Sequence, residues 1–194
     1  MVKLIGKNKI FCAVFISGRG SNLKSIYKYS RKYSSKINLK LVVSNKSNVE
    51  GVKFARKKKI ITKIDKFKNK RESEKKILEI LVKKKIKLIC LAGFMKILSG
   101  NFVKKFKGKI VNIHPSLLPK YKGLDTHKRA LENKERFSGC SVHYVTEKLD
   151  SGKIILQQKV KILKLDTPKK LQKRVLKIEN KLYPRAIHKI LSAT

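Results

Sequence analysis

The chain has 194 residues, of which 51 are Lys or Arg and 12 are Asp or Glu, giving a formal net charge of +39. That length supports one domain with a sizeable core. The apolar run from Ile10 to Ile16 is too short to span a bilayer and no signal-peptide cleavage pattern accompanies it, so no membrane or export role is expected.

Taken in chain order, Ile10–Ile16 reads as a first buried strand, followed by a helix over Asn22–Tyr33 with Leu23, Ile26, Tyr27 and Tyr29 or Tyr33 on its apolar face. Leu39–Ser44 is a second strand and Val49–Lys58 a second helix. A short strand follows at Ile60–Ile64. Ser73–Lys85 carries Ile77, Leu78, Leu81 and Val82 at helical spacing, and Leu88–Ala92 is another buried strand. Phe102–Phe106 reads as a short helix and Lys109–Ile113 as a strand. This alternation predicts an α/β fold: a doubly wound, mostly parallel sheet with helices on both faces. Two strand-like runs, Ser138–Thr146 and Lys153–Ile162, then flank Asp150-Ser151-Gly152, which has turn composition. Pro168, after Asp166-Thr167, opens a long final helix that Pro184 should kink or interrupt. No repeat, linker or second domain is visible, so 1–194 reads as one domain.

The high charge has two readings. One is attraction to nucleic acid or another polyanion. The other is compositional drift, since Lys, Ile and Asn are what an AT-rich genome encodes. Drift is favoured because Arg is sparse and Trp absent, whereas nucleic-acid sites lean on Arg and interleaved aromatics. Cys12, Cys90 and Cys140 are widely separated, which indicates neither a disulfide framework nor a zinc site. Reduced thiols and a cytoplasmic location fit.

Chemistry concentrates in Asn112-Ile113-His114-Pro115. Side chains at i and i+2 of a strand share a face, so Asn112 and His114 project together. Pro115 stops the ladder just past them. An amide donor beside a group that titrates near neutrality suits a reaction that passes through an oxyanion and moves a proton. Asp150, near a downstream turn, is the candidate partner that would raise the His114 pKa; a plain turn and a structural histidine are the alternatives. His143 reads as a satisfied strand residue, His127 as a pocket-lining position and His188 as surface. No His/Asp/Glu spacing resembles a metal site. Ser17-Gly18-Arg19-Gly20-Ser21-Asn22, at the first strand–helix turn, is neither a Walker loop nor a dinucleotide fingerprint. It is open to two readings, a phosphate cradle or a tight turn capped by Ser21 or Asn22.

Several blocks in order resemble the folate-dependent glycinamide ribonucleotide formyltransferase family. They are Ser17 to Leu23, Val43-Ser44-Asn45-Lys46, Leu91 to Ser99, Asn112 to Pro119 with Tyr121-Lys122-Gly123, Gly139 to His143, Leu149 to Gly152, and Glu179 with Tyr183-Pro184. The resemblance implies a Rossmann-like formyltransferase fold. It also implies formyl transfer from 10-formyltetrahydrofolate to the amine of 5-phosphoribosylglycinamide, without a metal. Carried over by position, Asn112, His114 and Asp150 form the catalytic set. Gly20, Ser21, Asn22 and Glu179 hold the phosphate and ribose. Arg71, Met95, Lys96, Ile97 and Leu98, with Asn112 and Thr146, Glu147, Lys148, Leu149 and Asp150, flank the folate. Small-molecule substrates, no membrane, no nucleic acid, and a monomer or homodimer are the expected partners and state. The chain departs from the pattern at Arg19, Asp125 and Asn180. Methionyl-tRNA formyltransferase shares the Asn-x-His-Pro-Ser block but carries a C-terminal barrel that this chain lacks the length for. Formyltetrahydrofolate hydrolase carries an N-terminal regulatory domain and a different residue after the histidine.

Overall fold

The computed structural model describes residues 9–192. The ends of the expected 1–194 domain lie outside the described residues. Thirteen elements follow in order: β1 (Ile10–Ile16), α1 (Ser21–Ser30), β2 (Ile37–Ser44), α2 (Glu50–Lys57), β3 (Ile61–Ile64), α3 (Lys70–Lys83), β4 (Ile86–Leu91), α4 (Gly100–Lys105), β5 (Lys109–His114), α5 (Thr126–Glu132), β6 (Phe137–Tyr144), β7 (Ile154–Lys161) and α6 (Pro168–Ser192). The strands form one seven-stranded sheet in the order β3-β2-β1-β4-β5-β6-β7. β1 to β5 are parallel, while β6 and β7 are added antiparallel.

The alternation along β1 builds the two sides of the core. Cys12, Val14 and Ile16 pack with Leu23 and Ile26 of α1, Val52 of α2, and Leu171, Val175 and Ile187 of α6. Ala13 and Phe15 face the other way, onto Ile77 and Leu81 of α3 and Phe102 of α4. A strand buried on both faces reads as a continuous apolar run, which is why Ile10–Ile16 has no polar interruption.

The chain winds one way from β1 through β3, then returns to place β4 on the other side of β1. Crevices at the carboxyl ends of strands flanking such a reversal are where open α/β sheets bind ligands. The loops leaving β1 and β4 are tied together there. Ser17 N–H donates to the Gly93 carbonyl at 3.0 Å, and Met95 N–H donates to Ser17 Oγ at 2.7 Å.

Three expectations need correction. α3 starts at Lys70, because the Asn69 side chain accepts from Glu72 N–H at 3.2 Å and caps a charged first turn that has no apolar period. The first helix ends at Ser30, and Tyr33 lies beyond it, 84% exposed. α6 is not interrupted by Pro184: it runs unbroken to Ser192, with Leu182, Tyr183, Ala186 and Ile187 buried on either side of the proline. Burial of the flanking turns outweighs the missing backbone hydrogen bond. The Tyr183 hydroxyl also faces the carbonyls of Leu91 and Val111, 3.0 Å from each, and so ties α6 to β4 and β5.

Candidate active site

β5 ends at His114, and Pro115 follows. Asn112 and His114 project to one side, as i,i+2 alternation requires, and Asp150 meets both. His114 Nδ1 lies 3.3 Å from Asp150 Oδ2, and Asn112 Nδ2 lies 3.5 Å from Asp150 Oδ1. Asp150 reaches this point because the connection after β6 folds back on itself. Gly152 makes that possible, since a Cβ there would stand 1.8 Å from the Tyr144 carbonyl oxygen. Asp150 itself has φ 46, a left-handed conformation that Asp tolerates better than most residues. Gly123 N–H donates to its Oδ2 at 3.0 Å and anchors it.

His143 is the satisfied strand residue that the sequence reads, buried in β6 with a partner at each ring nitrogen, and it also joins the cluster. β5 and β6 pair Asn112 with His143 across the antiparallel ladder. The His143 Nε2 lies 3.2 Å from Asn112 Nδ2 and 3.5 Å from Asp150 Oδ1. Its Nδ1 donates to the Tyr144 carbonyl at 2.8 Å, which fixes the ring.

The electrostatics correct a second expectation. Burial pulls the His114 pKa below 6.5, and this outweighs the upward pull of the Tyr121 carbonyl and of Asp150. His114 is only 5% exposed, so the charged ring loses its hydration. The imidazole is therefore neutral near neutral pH, with Nε2 donating to the Tyr121 carbonyl at 2.8 Å. For Asp150, burial opposes ionisation. The contact with His143, the Gly123 N–H and the charges of the two imidazoles together outweigh it and hold the carboxyl below 3.8. A neutral base thus sits beside a carboxylate placed to stabilise it once protonated.

The three groups line a cleft of 710 Å³, together with nearly every other residue expected at the site. Gly20, Ser21 and Asn22 line it where α1 begins. The N-cap is Gly20, at φ 70, and neither Ser21 nor Asn22 caps the helix with its side chain, so the capped-turn alternative is overturned. Asn22 instead donates to Glu179 Oε2 at 2.7 Å. Burial pushes the Glu179 carboxyl up, with the Asn22 hydrogen bond pulling the other way. Met95, Lys96, Ile97 and Leu98 also line the cleft, as do Thr146, Glu147, Lys148 and Leu149. Met95, Ile97, Leu124 and Leu149 are each at least half exposed there and give it apolar walls. Arg71 is not brought in: it lies on α3 and lines a separate groove between α3 and α4. His127 lines the cleft as expected, and its buried Nδ1 has no partner among the described residues. His188 is exposed and contacts Tyr29. Leu124, Thr126, Gln172 and Leu176 also line the cleft, though nothing in their local sequence marks them.

Among the described residues, no group of three or more His, Cys, Asp or Glu could hold a metal. Cys12, Cys90 and Cys140 are buried free thiols. Among the described residues, no helix is long and apolar enough to cross a membrane.

The sequence profile of the formyl transferase family matches residues 10–187. The chain is 43% identical over 191 residues to the trifunctional purine biosynthetic protein adenosine-3 of Gallus gallus, covering 97% of this chain but 19% of that protein. The chain thus spans about a fifth of the length of these trifunctional relatives. It is 40% identical over 177 residues to phosphoribosylglycinamide formyltransferase of Escherichia coli, covering 90% of this chain and 84% of that one. The crystal structure of phosphoribosylglycinamide formyltransferase from Brucella melitensis superposes with a TM-score of 0.89 at 40% identity, covering 95% of this chain and 96% of that chain.

Proposed function

The chain belongs to the formyl transferase family, and we propose that it moves a formyl group from 10-formyltetrahydrofolate to the amine of 5-phosphoribosylglycinamide, a step of purine biosynthesis. The observation that carries this reading is the meeting of the Asn112 amide, the His114 imidazole and the Asp150 carboxylate in one cleft that the start of α1 also lines. The named relatives of similar length are enzymes of that title. The cleft fits both substrates: its apolar walls at Met95, Ile97, Leu124 and Leu149 suit a flat ring, and the uncapped α1 terminus suits a phosphate.

In this reading the amine attacks the formyl carbon and the carbonyl oxygen becomes an oxyanion. Asn112 donates to it. The 3.5 Å contact of its amide with Asp150 is at the outer edge of hydrogen bonding, and a charged oxygen at about 2.9 Å outcompetes it. His114 leaves the Tyr121 carbonyl and takes up the Nδ1–H tautomer, with Nδ1 donating to Asp150; its free Nε2 then takes the proton that the amine must lose and returns it to the departing folate nitrogen. Asp150 stabilises the imidazolium in between. Gly20, Ser21, Asn22 and Glu179 hold the phosphoribosyl end, and residues 95–98 and 146–149 hold the folate. We read 1–194 as a single domain of this kind, working in the cytoplasm on small molecules as a monomer or homodimer, with nucleic acid not a partner.

The test is spectrophotometric. Formyl folate is supplied with and without glycinamide ribonucleotide, and consumption is expected only when the nucleotide is present. Consumption in its absence selects the hydrolase and overturns the proposal.

A further inference from the structure

We propose that Arg19 is a specificity-determining residue that selects a doubly negative phosphate on the amine-bearing substrate over its uncharged counterpart. This rests on the reading above for the substrate's other end, but not for the phosphate itself. Arg19 is exposed, lies in the loop leaving β1, and lines the cleft next to Gly20, Ser21 and Asn22. Among the described residues, no carboxylate pairs with it, so its five N–H donors are not committed to an ion pair within the protein.

The surroundings lack negative charge where they need it. α1 has no acidic residue in its first turn and no side-chain cap, so its N-terminal N–H groups and dipole are uncompensated. An independent observation points to a ligand there. Asn22 is 5% exposed, and its Oδ1 has no hydrogen-bond partner among the described residues. A buried acceptor on the cleft wall calls for a donor, and a sugar hydroxyl next to a phosphate supplies one. The loop also has room. A Cβ built at Gly18 meets nothing within 4 Å, and Arg19 itself is exposed. The planar guanidinium fork matches two phosphate oxygens, which the many surface lysines do not.

The probes are ribose 5-phosphate and ribose, titrated calorimetrically into the full chain, its Arg19→Asn variant and its Arg19→Lys variant. The wild type binds ribose 5-phosphate in preference to ribose. Arg19→Asn weakens ribose 5-phosphate binding about fivefold to tenfold, a charge-assisted contact discounted for exposure. Arg19→Lys falls between, and thermal unfolding is unchanged in both variants. In turnover, Arg19→Asn raises KM for the phosphorylated amine and leaves KM for formyl folate as it was. Equal ribose 5-phosphate affinity in the wild type and Arg19→Asn, or equal loss toward ribose, overturns the proposal. A wild type that discriminates phosphate but transfers no formyl group refutes the function above and leaves Arg19 standing.

Discussion

Asp150→Asn keeps the shape of the side chain and removes its charge, and this isolates the step on which the chemistry turns. The carboxylate lies 3.3 Å from His114 Nδ1, with side-chain exposures of 6% and 7%. At that separation and an effective dielectric near 20, a carboxylate stabilises an imidazolium by about 5 kcal/mol. Residual solvation and the carbonyl dipole of the replacement amide recover part of this, and removal of one preorganised group typically costs about 3 kcal/mol of transition-state stabilisation. The expectation is therefore a fall in kcat of about a hundredfold or more, with little change in KM. The pH profile adds a second readout. His114 must be neutral to accept a proton, so activity falls as pH drops through its pKa, which lies below 6.5. Asp150 pulls that pKa upward, so its loss moves the acid limb to still lower pH. Steady-state kinetics from pH 5 to 8, with circular dichroism to verify folding, decide the matter. A folded Asp150→Asn enzyme within threefold of wild-type kcat, with its acid limb unmoved, would refute the assignment of the carboxylate to the histidine.

Other substitutions test how the site is held. Gly51→Ala would place a Cβ 2.6 Å from Ile16 Cδ1, 2.9 Å from the Gly18 carbonyl and 3.2 Å from Gly20 Cα. Overpacking should cost about 1–3 kcal/mol and outweigh the helix-propensity gain of about 1 kcal/mol, a net loss visible in chemical denaturation. Tyr183→Phe removes the hydroxyl shared by the Leu91 and Val111 carbonyls. Leaving those acceptors buried should lower stability by about 1–3 kcal/mol, and an unchanged denaturation midpoint would show the bond to be dispensable. Burial raises the Glu179 pKa above 4.5, so the native state binds more protons than the unfolded chain as pH rises through 4.5 toward the native pKa, and stability falls across that window. The wild-type stability relative to Glu179→Gln should therefore decline from pH 4.5 upward; a flat or rising difference in urea titrations contradicts it.

Local pattern carried most of the fold. Ile10–Ile16 was legible to the residue, because a seven-residue apolar run bounded by Lys9 and by Ser17-Gly18 has only one reading inside a parallel sheet. The start of α3 was not, because Lys70, Arg71 and Glu72 carry no apolar period and the signal lay in a single capping Asn69. Pro184 misled for the opposite reason. The local rule against proline inside a helix is sound, but buried residues on both sides of it hold α6 against the sheet, and this tertiary packing is invisible in sequence.

The site divides along the same line. Asn112 and His114 were legible because two-residue alternation and a following proline are local facts. Asp150 could be named from the family resemblance and from turn composition, but not from spacing. His143 is legible as a satisfied strand residue, but its place beside Asn112 comes from register: an antiparallel pairing sets the two opposite each other, and register is a long-range property. The sign of the His114 shift failed for a related reason. Sequence supplies the neighbouring charge, which argues upward, but not the depth of burial, which argues downward and prevails. That reversal changes the chemistry. A protonated imidazole at rest would serve mainly as an electrostatic clamp, whereas a neutral one can take the proton that the amine must lose. The ionised Asp150 beside it then matters after the proton has moved, so its contribution belongs in kcat rather than in substrate affinity.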